Sequence, residues 1–221
     1  MPLHQQVMAA FPSASTPATV TYVGNNLSAS ATTVYTFTNE GTGSDTDRSL
    51  IVVVLNYRGG DPSDVTANDG QGGGDLAMTN AVKAADGTDR SQIWYITGQT
   101  TSTSTIEITT GGANNMSIGV YAVYNSGTGA PDYTATDFGS DPCSASLTIP
   151  TDGIGIGGGV DDVNTTHTWT NLTGDYETNP SSSTKTAGAS TQTEEGATTI
   201  EWDPSAASSQ NAMALASWGP A

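Results

Sequence analysis

The chain has 221 residues, with 22 aspartates and glutamates against five lysines and arginines, a formal net charge of −17 and one cysteine, Cys143. A single cysteine excludes an internal disulfide framework and the cysteine-rich zinc frameworks. Arg48, Arg58, Lys83, Arg90 and Lys185 are too few to neutralise a phosphate track or to hold an anionic lipid surface.

No apolar run nears the roughly 18 residues that span a bilayer. Residues 1–14 hold a short apolar patch but no basic stretch before it, so they read poorly as a secretory signal. Thr and Ser crowd the chain, Gly numbers 26, and Leu, Lys and Glu are scarce, a balance that favours strands and turns over helices. The length suits one all-β domain over residues 18–221, preceded by an extended, proline-containing arm at 1–17.

In chain order, Val20 and Tyr22 alternate with threonines, as do Tyr35 and Phe37, with Gly24, Asn25 and Asn26 predicted as a turn between two strands. Residues 50–55, Leu-Ile-Val-Val-Val-Leu, predict a central strand covered on both faces. A Gly- and Asp-rich loop is expected over 59–75, and 76–85 is the one region where a helical turn or two is expected. Residues 91–97 and 103–109 bracket a short loop, the layout of a hairpin. Met116, Ile118, Val120, Ala122 and Tyr124 mark one face of a long strand. Further strands are expected at Leu147 and Ile149, at Ile154 and Ile156 among glycines, at His167 and Trp169, at Ile200 and Trp202, and over 211–218. The Ser- and Thr-rich residues 178–193 read as a long exposed loop. About ten or eleven strands emerge without a βαβ rhythm, so two packed antiparallel sheets are expected.

Chemistry is sparse. His4 and His167 are the chain's histidines, no Gly-x-Ser-x-Gly elbow is present, and His167 between threonines reads as a structural histidine. The run from Gly153 to Gly158 matches a dinucleotide fingerprint in letters but lacks the helix that would hold pyrophosphate, so close sheet packing explains it better. Glu107 and Glu201, on strand faces opposite the apolar ones, are the carboxylates a glycosidase reading would use. Asp61, Asp64, Asp69 and Asp75 lie close together in a Gly-rich stretch and offer hard oxygens to Ca2+ or Mg2+, against the plainer reading of a solvated loop. Asn26, Asn115, Asn164 and Asn171 head Asn-x-Ser/Thr triplets, which matter only in a glycosylating host. Trp94, Trp169, Trp202 and Trp218 could form glycan platforms, although aromatics at alternating strand positions are usually core. The acid surplus, carried with few lysines, suits molar salt, where the screening length shrinks to about 3 Å.

Four segments carry a family resemblance: residues 48–56, residues 91–98 with the Thr-rich stretch after them, 116–124 ending in Ala-Val-Tyr, and 212–221. Together they resemble the concanavalin-like jelly-roll domains of structural proteins from tailed viruses, over about 170 residues. The resemblance implies a jelly-roll sandwich in a non-enzymatic virion surface component. Expected roles are a capsid decoration (cement or turret) protein or a tail, spike or fibre component, with a carbohydrate-binding module that meets a host surface glycan as the alternative. A homo-oligomer, trimer or pentamer, seated on the major capsid protein is expected, with no nucleic-acid partner and no membrane insertion. The family pattern brings no catalytic residues, and the acidity and the 59–75 insertion depart from it.

Overall fold

The computed structural model describes residues 15–41, 48–68, 75–97, 102–139, 141–192 and 195–221. Its strands are β1 (Thr19–Gly41), β2 (Arg48–Arg58), β3 (Pro62–Asn68), β4 (Leu76–Ala77), β5 (Thr79–Asp86), β6 (Asp89–Ile96), β7 (Thr103–Tyr124) and β8 (Tyr133–Phe138). They continue with β9 (Cys143–Ile149), β10 (Ile154–Asp161), β11 (His167–Thr170), β12 (Thr173–Ser181), β13 (Thr184–Thr191), β14 (Gly196–Pro204) and β15 (Asn211–Trp218). No helix occurs among the described residues, so the all-β class holds. Most of the expected arm, residues 1–14, lies outside them, and Ser15, Thr16 and Pro17 are exposed.

The expected two sheets and ten or eleven strands are corrected. Among the described residues fifteen strands form three antiparallel sheets, and an isolated bridge joins Ser126 to Pro220. A seven-stranded sheet runs β4-β3-β7-β2-β6-β5 with β1 also on β7; a five-stranded sheet runs β12-β13-β10-β15-β8; a three-stranded sheet runs β11-β14-β9. The five-stranded sheet is the middle layer. Its Ile154, Ile156, Ala212, Ala214 and Ala216 pack against Leu50, Val52 and Val54 of the seven-stranded sheet. Its Ala187, Ala189, Met213 and Leu215 pack against Leu147, Ile200 and Trp202 of the three-stranded sheet.

A layer covered on both faces needs small side chains, because neighbouring sheets must close to about 10 Å on either side. Adjacent glycines of β10 show this: a methyl on Gly158 would strike Val54 of one neighbour, and a methyl on Gly159 would come within 2.6 Å of the Trp202 ring of the other. The glycine run is therefore a packing device, in a strand that pairs with β13 and β15 and leads into no helix.

The seven-stranded sheet makes a further core by bending over itself. The C-terminal half of β7 pairs with β2 and its N-terminal half with β3, while β1 follows β7 along both halves. Register shifts in β1 between Ser28 and Val34, and the break after Gly59, fall where the ribbon turns. Ile51, Val53 and Leu55 on one half then meet Ile106, Ile108, Val65 and Phe37 on the other. Each fully buried side chain of this size contributes about 1.5–3 kcal/mol.

Several local expectations change. The strand at 50–55 is confirmed as β2, buried on both faces from Leu50 to Tyr57. The turn expected at Gly24 is an irregularity inside the continuous β1, and 76–85 is strand (β4 and β5), not a helical turn. The 59–75 loop contains β3. The two strands expected to form a hairpin exist as β6 and the start of β7, but β6 pairs with β2 and β5. The loop expected at 178–193 is largely the end of β12 and all of β13, whose Thr184, Thr186, Ala187, Gly188 and Ala189 are buried.

Candidate functional site

The four aspartates expected to hold a cation are placed as follows. Asp61, at the bend between β2 and β3, is gripped by Lys83 Nζ at 2.6 Å and Arg90 Nε at 3.1 Å and accepts a hydrogen bond from the Tyr57 hydroxyl at 3.0 Å. Partial burial works to raise its pKa, but the hydrogen bonds from Lys83, Tyr57 and Arg90 outweigh it and hold the carboxyl below its usual range. Asp64 is exposed on β3, and Asp75 accepts a hydrogen bond from Asn68 Nδ2 at 2.8 Å. Asp69 lies outside the described residues. Among these residues no group of three His, Cys, Asp or Glu side chains is set to hold a metal ion. Asp61 is a clamp on the bend: β2, β5 and β6 each send it a donor.

Glu107 and Glu201 are not brought together. Glu107 is on β7 of the seven-stranded sheet, Glu201 on β14 of the three-stranded sheet, and the middle layer separates the two sheets. Cys143 is buried; its thiol donates to Asn211 Oδ1 at 3.3 Å, and burial pushes its pKa up.

The densest polar arrangement surrounds His167. Its side chain is fully buried and stacks on Trp202, the ring centroids 4.7 Å apart and the planes 12° from parallel. Nε2 contacts Asp161 Oδ2 in a short hydrogen bond, and Nδ1 lies 3.2 Å from Glu177 Oε1. The same Glu177 oxygen accepts from the His167 backbone N–H at 2.8 Å, and Lys185 Nζ lies 3.4 Å from Glu177 Oε2. Carboxylates only accept hydrogen bonds, so this chain is filled when the imidazole donates from both nitrogens. The alternation of β11 turns His167 inward, and the β10–β13 register that sets Asp161 opposite Lys185 brings the rest together. Sequence alone read His167 as a structural histidine; its partners sit on other strands and leave no local signal.

One end of β10 gathers a second set of acids. Asp162 accepts from the Ser208 hydroxyl at 2.8 Å and from the Ser209 and Gln210 backbone, and Asp86 accepts from the Asn211 N–H at 3.1 Å. Between them Asp89 is fully buried, and neither carboxylate oxygen has a hydrogen-bond partner; its counter-charge is Arg58, at 3.4 Å. Burial raises the Asp89 pKa to about 7; Arg58 opposes the rise, and Asp162, Asp161 and Asp86 add to it.

A cavity of about 390 Å3 opens between β11 and β12, the facing edges of the outer and middle sheets, with Trp169 and His167 on one wall and Asp175, Tyr176 and Glu177 on the other. Of the four tryptophans, Trp202 and Trp218 are fully buried, and the half-buried Trp94 donates to Gln92 Oε1 at 2.7 Å. Trp169 is half-buried and lines the cavity. Its indole N–H is covered and without a hydrogen-bond partner. Burial raises the Asp175 pKa, against hydrogen bonds from Ser190 and from the buried Tyr121 hydroxyl.

Comparison of the chain with family models, curated proteins and solved structures returned no match.

Proposed function

We propose that the chain is a non-enzymatic structural protein of a virion surface: a decoration protein, cement or turret, on the head of a tailed virus from a saline habitat. In this reading the middle and outer sheets are the jelly-roll-type sandwich, and the bent seven-stranded sheet is an added layer. The observation that carries the reading is how the cations are used. Arg58, Lys83, Arg90 and Lys185 are all tied to carboxylates of their own chain, which leaves the acid surplus facing outward. Such a body repels nucleic acid and its own copies until salt or bridging cations screen it. Trimers or pentamers on a capsid lattice would then form at high ionic strength, seated on the major capsid protein, with Ca2+ or Mg2+ as candidate bridges between copies. The layered all-β body, three cores deep, suits a rigid ornament.

Antibodies raised against the recombinant chain and applied to purified particles test this by gold labelling in the electron microscope. Labelled heads are the expected result. Labelled tails would move the protein to a tail, spike or fibre, and unlabelled particles would overturn the proposal.

A further inference from the structure

One side chain ties the residue just before β15 to the turn between β5 and β6. Gln210 Oε1 accepts from the Thr88 backbone N–H at 3.0 Å and from the Thr88 hydroxyl at 3.2 Å, across 122 positions of sequence. The amide lies over Gly87, whose φ is 54°; a methyl there would strike the amide oxygen and come within 2.6 Å of its carbon. Glycine is what lets the turn hold the amide this close. The Gln210 backbone is fixed as well: its N–H donates to Asp162, and its carbonyl accepts from the Ser208 hydroxyl at 2.7 Å and from the Asp162 N–H at 3.1 Å.

A hydroxyl held against a carboxamide is the starting arrangement of an acyl transfer. The Thr88 N–H on Gln210 Oε1 stands where negative charge would gather if the carbonyl carbon were attacked. Arg58 Nε donates to Thr88 Oγ1 at 3.2 Å, and a cation beside a hydroxyl favours its ionised, nucleophilic form. The buried Asp89, the next residue, holds the same guanidinium from the other side at 3.4 Å. The bonds that fix the amide end on its oxygen, and Nε2, the leaving group, carries none among the described residues. Holding both reactants in place removes the collisional search that makes this exchange slow in solution.

We propose that Thr88 and Gln210 are joined by an ester cross-link that the chain forms by itself. Thr88 Oγ1 bonds to Gln210 Cδ, the Cδ–Nε2 bond breaks, and the hydroxyl proton passes to the nitrogen, which leaves as ammonia. Atoms and charge balance without a further reactant, and escape of ammonia drives the exchange forward. The link fastens the seven-stranded sheet to the middle sheet and constrains the unfolded chain as a disulfide of long span would, in a protein with one cysteine. It does not depend on where the protein resides, and particle labelling tests that question separately.

The experiment is intact-mass spectrometry of the purified full chain after denaturation, followed by sequencing of its digest. The parent should weigh one ammonia less than its sequence, and residues 88 and 210 should be found in one branched peptide. Thr88→Val, which keeps the shape and loses the hydroxyl, should show no deficit, and Thr88→Ser should restore it. Thr88 is exposed, so neither change disturbs a core. Near-UV circular dichroism confirms that each variant is folded. A parent at its full sequence mass, or a deficit that persists in Thr88→Val, would overturn the proposal.

Discussion

Asp161 and Asp89 are both fully buried, yet they are treated in opposite ways. Asp161 has a partner for each oxygen: His167 on one, and the Val163 backbone N–H at 3.1 Å on the other. Asp89 has Arg58 nearby and no hydrogen bond. Burial of a charge is tolerable when hydrogen bonds replace lost water, and otherwise the group takes up a proton. One carboxylate is thus built into the fold, and the other is held against its preference.

The largest expected effect breaks the first of these. His167→Leu leaves the buried Asp161 Oδ2 without its hydrogen-bond partner and removes the ring stacked on Trp202. It should cost about 3–5 kcal/mol in urea unfolding, the range for breaking a buried pair. A loss below about 1 kcal/mol would show that Asp161 does not depend on the histidine.

The second effect is nearly as large and opposite in sign. Asp89 binds its proton more tightly folded, near pH 7, than unfolded, near its ordinary 3.8. Its contribution is therefore fully present below about pH 4 and is lost as the pH rises through 7. Three pH units at about 1.4 kcal/mol each give up to ~4 kcal/mol. Asp89→Asn should leave stability at pH 4 nearly unchanged and raise it at pH 8. Parallel pH profiles for parent and variant would contradict this.

Salt should distinguish the two aspartates least, because buried pairs are weakly screened while exposed acids are strongly screened. The melting midpoint of the parent should rise between about 0.1 M and about 2 M KCl by several degrees, on the scale of ~2 kcal/mol. Asp89→Asn should rise by the same amount. Equal parent midpoints at both concentrations would contradict the account of surface repulsion.

What the sequence disclosed follows the same physics. β2 was legible because six large apolar residues in a row can only be a strand covered twice. β13 was not: its buried stretch is built from Thr, Ala and Gly, which carry almost no hydrophobic signal, and their smallness is what a middle layer requires. β5 resembled a helix because its alanines and Lys83 favour one, and pairing with β6 overrode that preference. Asp61 looked like an ion ligand because the acids lie close together in sequence, whereas its cations come from β5 and β6. The cleft was half visible, since Trp169 was a candidate while the residues of the other wall, Asp175, Tyr176 and Glu177, lay unmarked just ahead of the segment 178–193 read as loop.

The role of β7 as shared spine has a consequence for the order in which the chain can assemble. β1, β2 and β3 make no pairs with one another; Thr19 waits for Tyr124, Arg48 for the same residue, and Val65 for Ile108. During synthesis β1 therefore leaves the ribosome unpaired, and β2 and β3, which find β6 and β4 first, each keep one open edge until β7 follows; contacts this distant in sequence make folding slow. The acidic side chains along the chain would keep those edges apart from one another until their common template arrives.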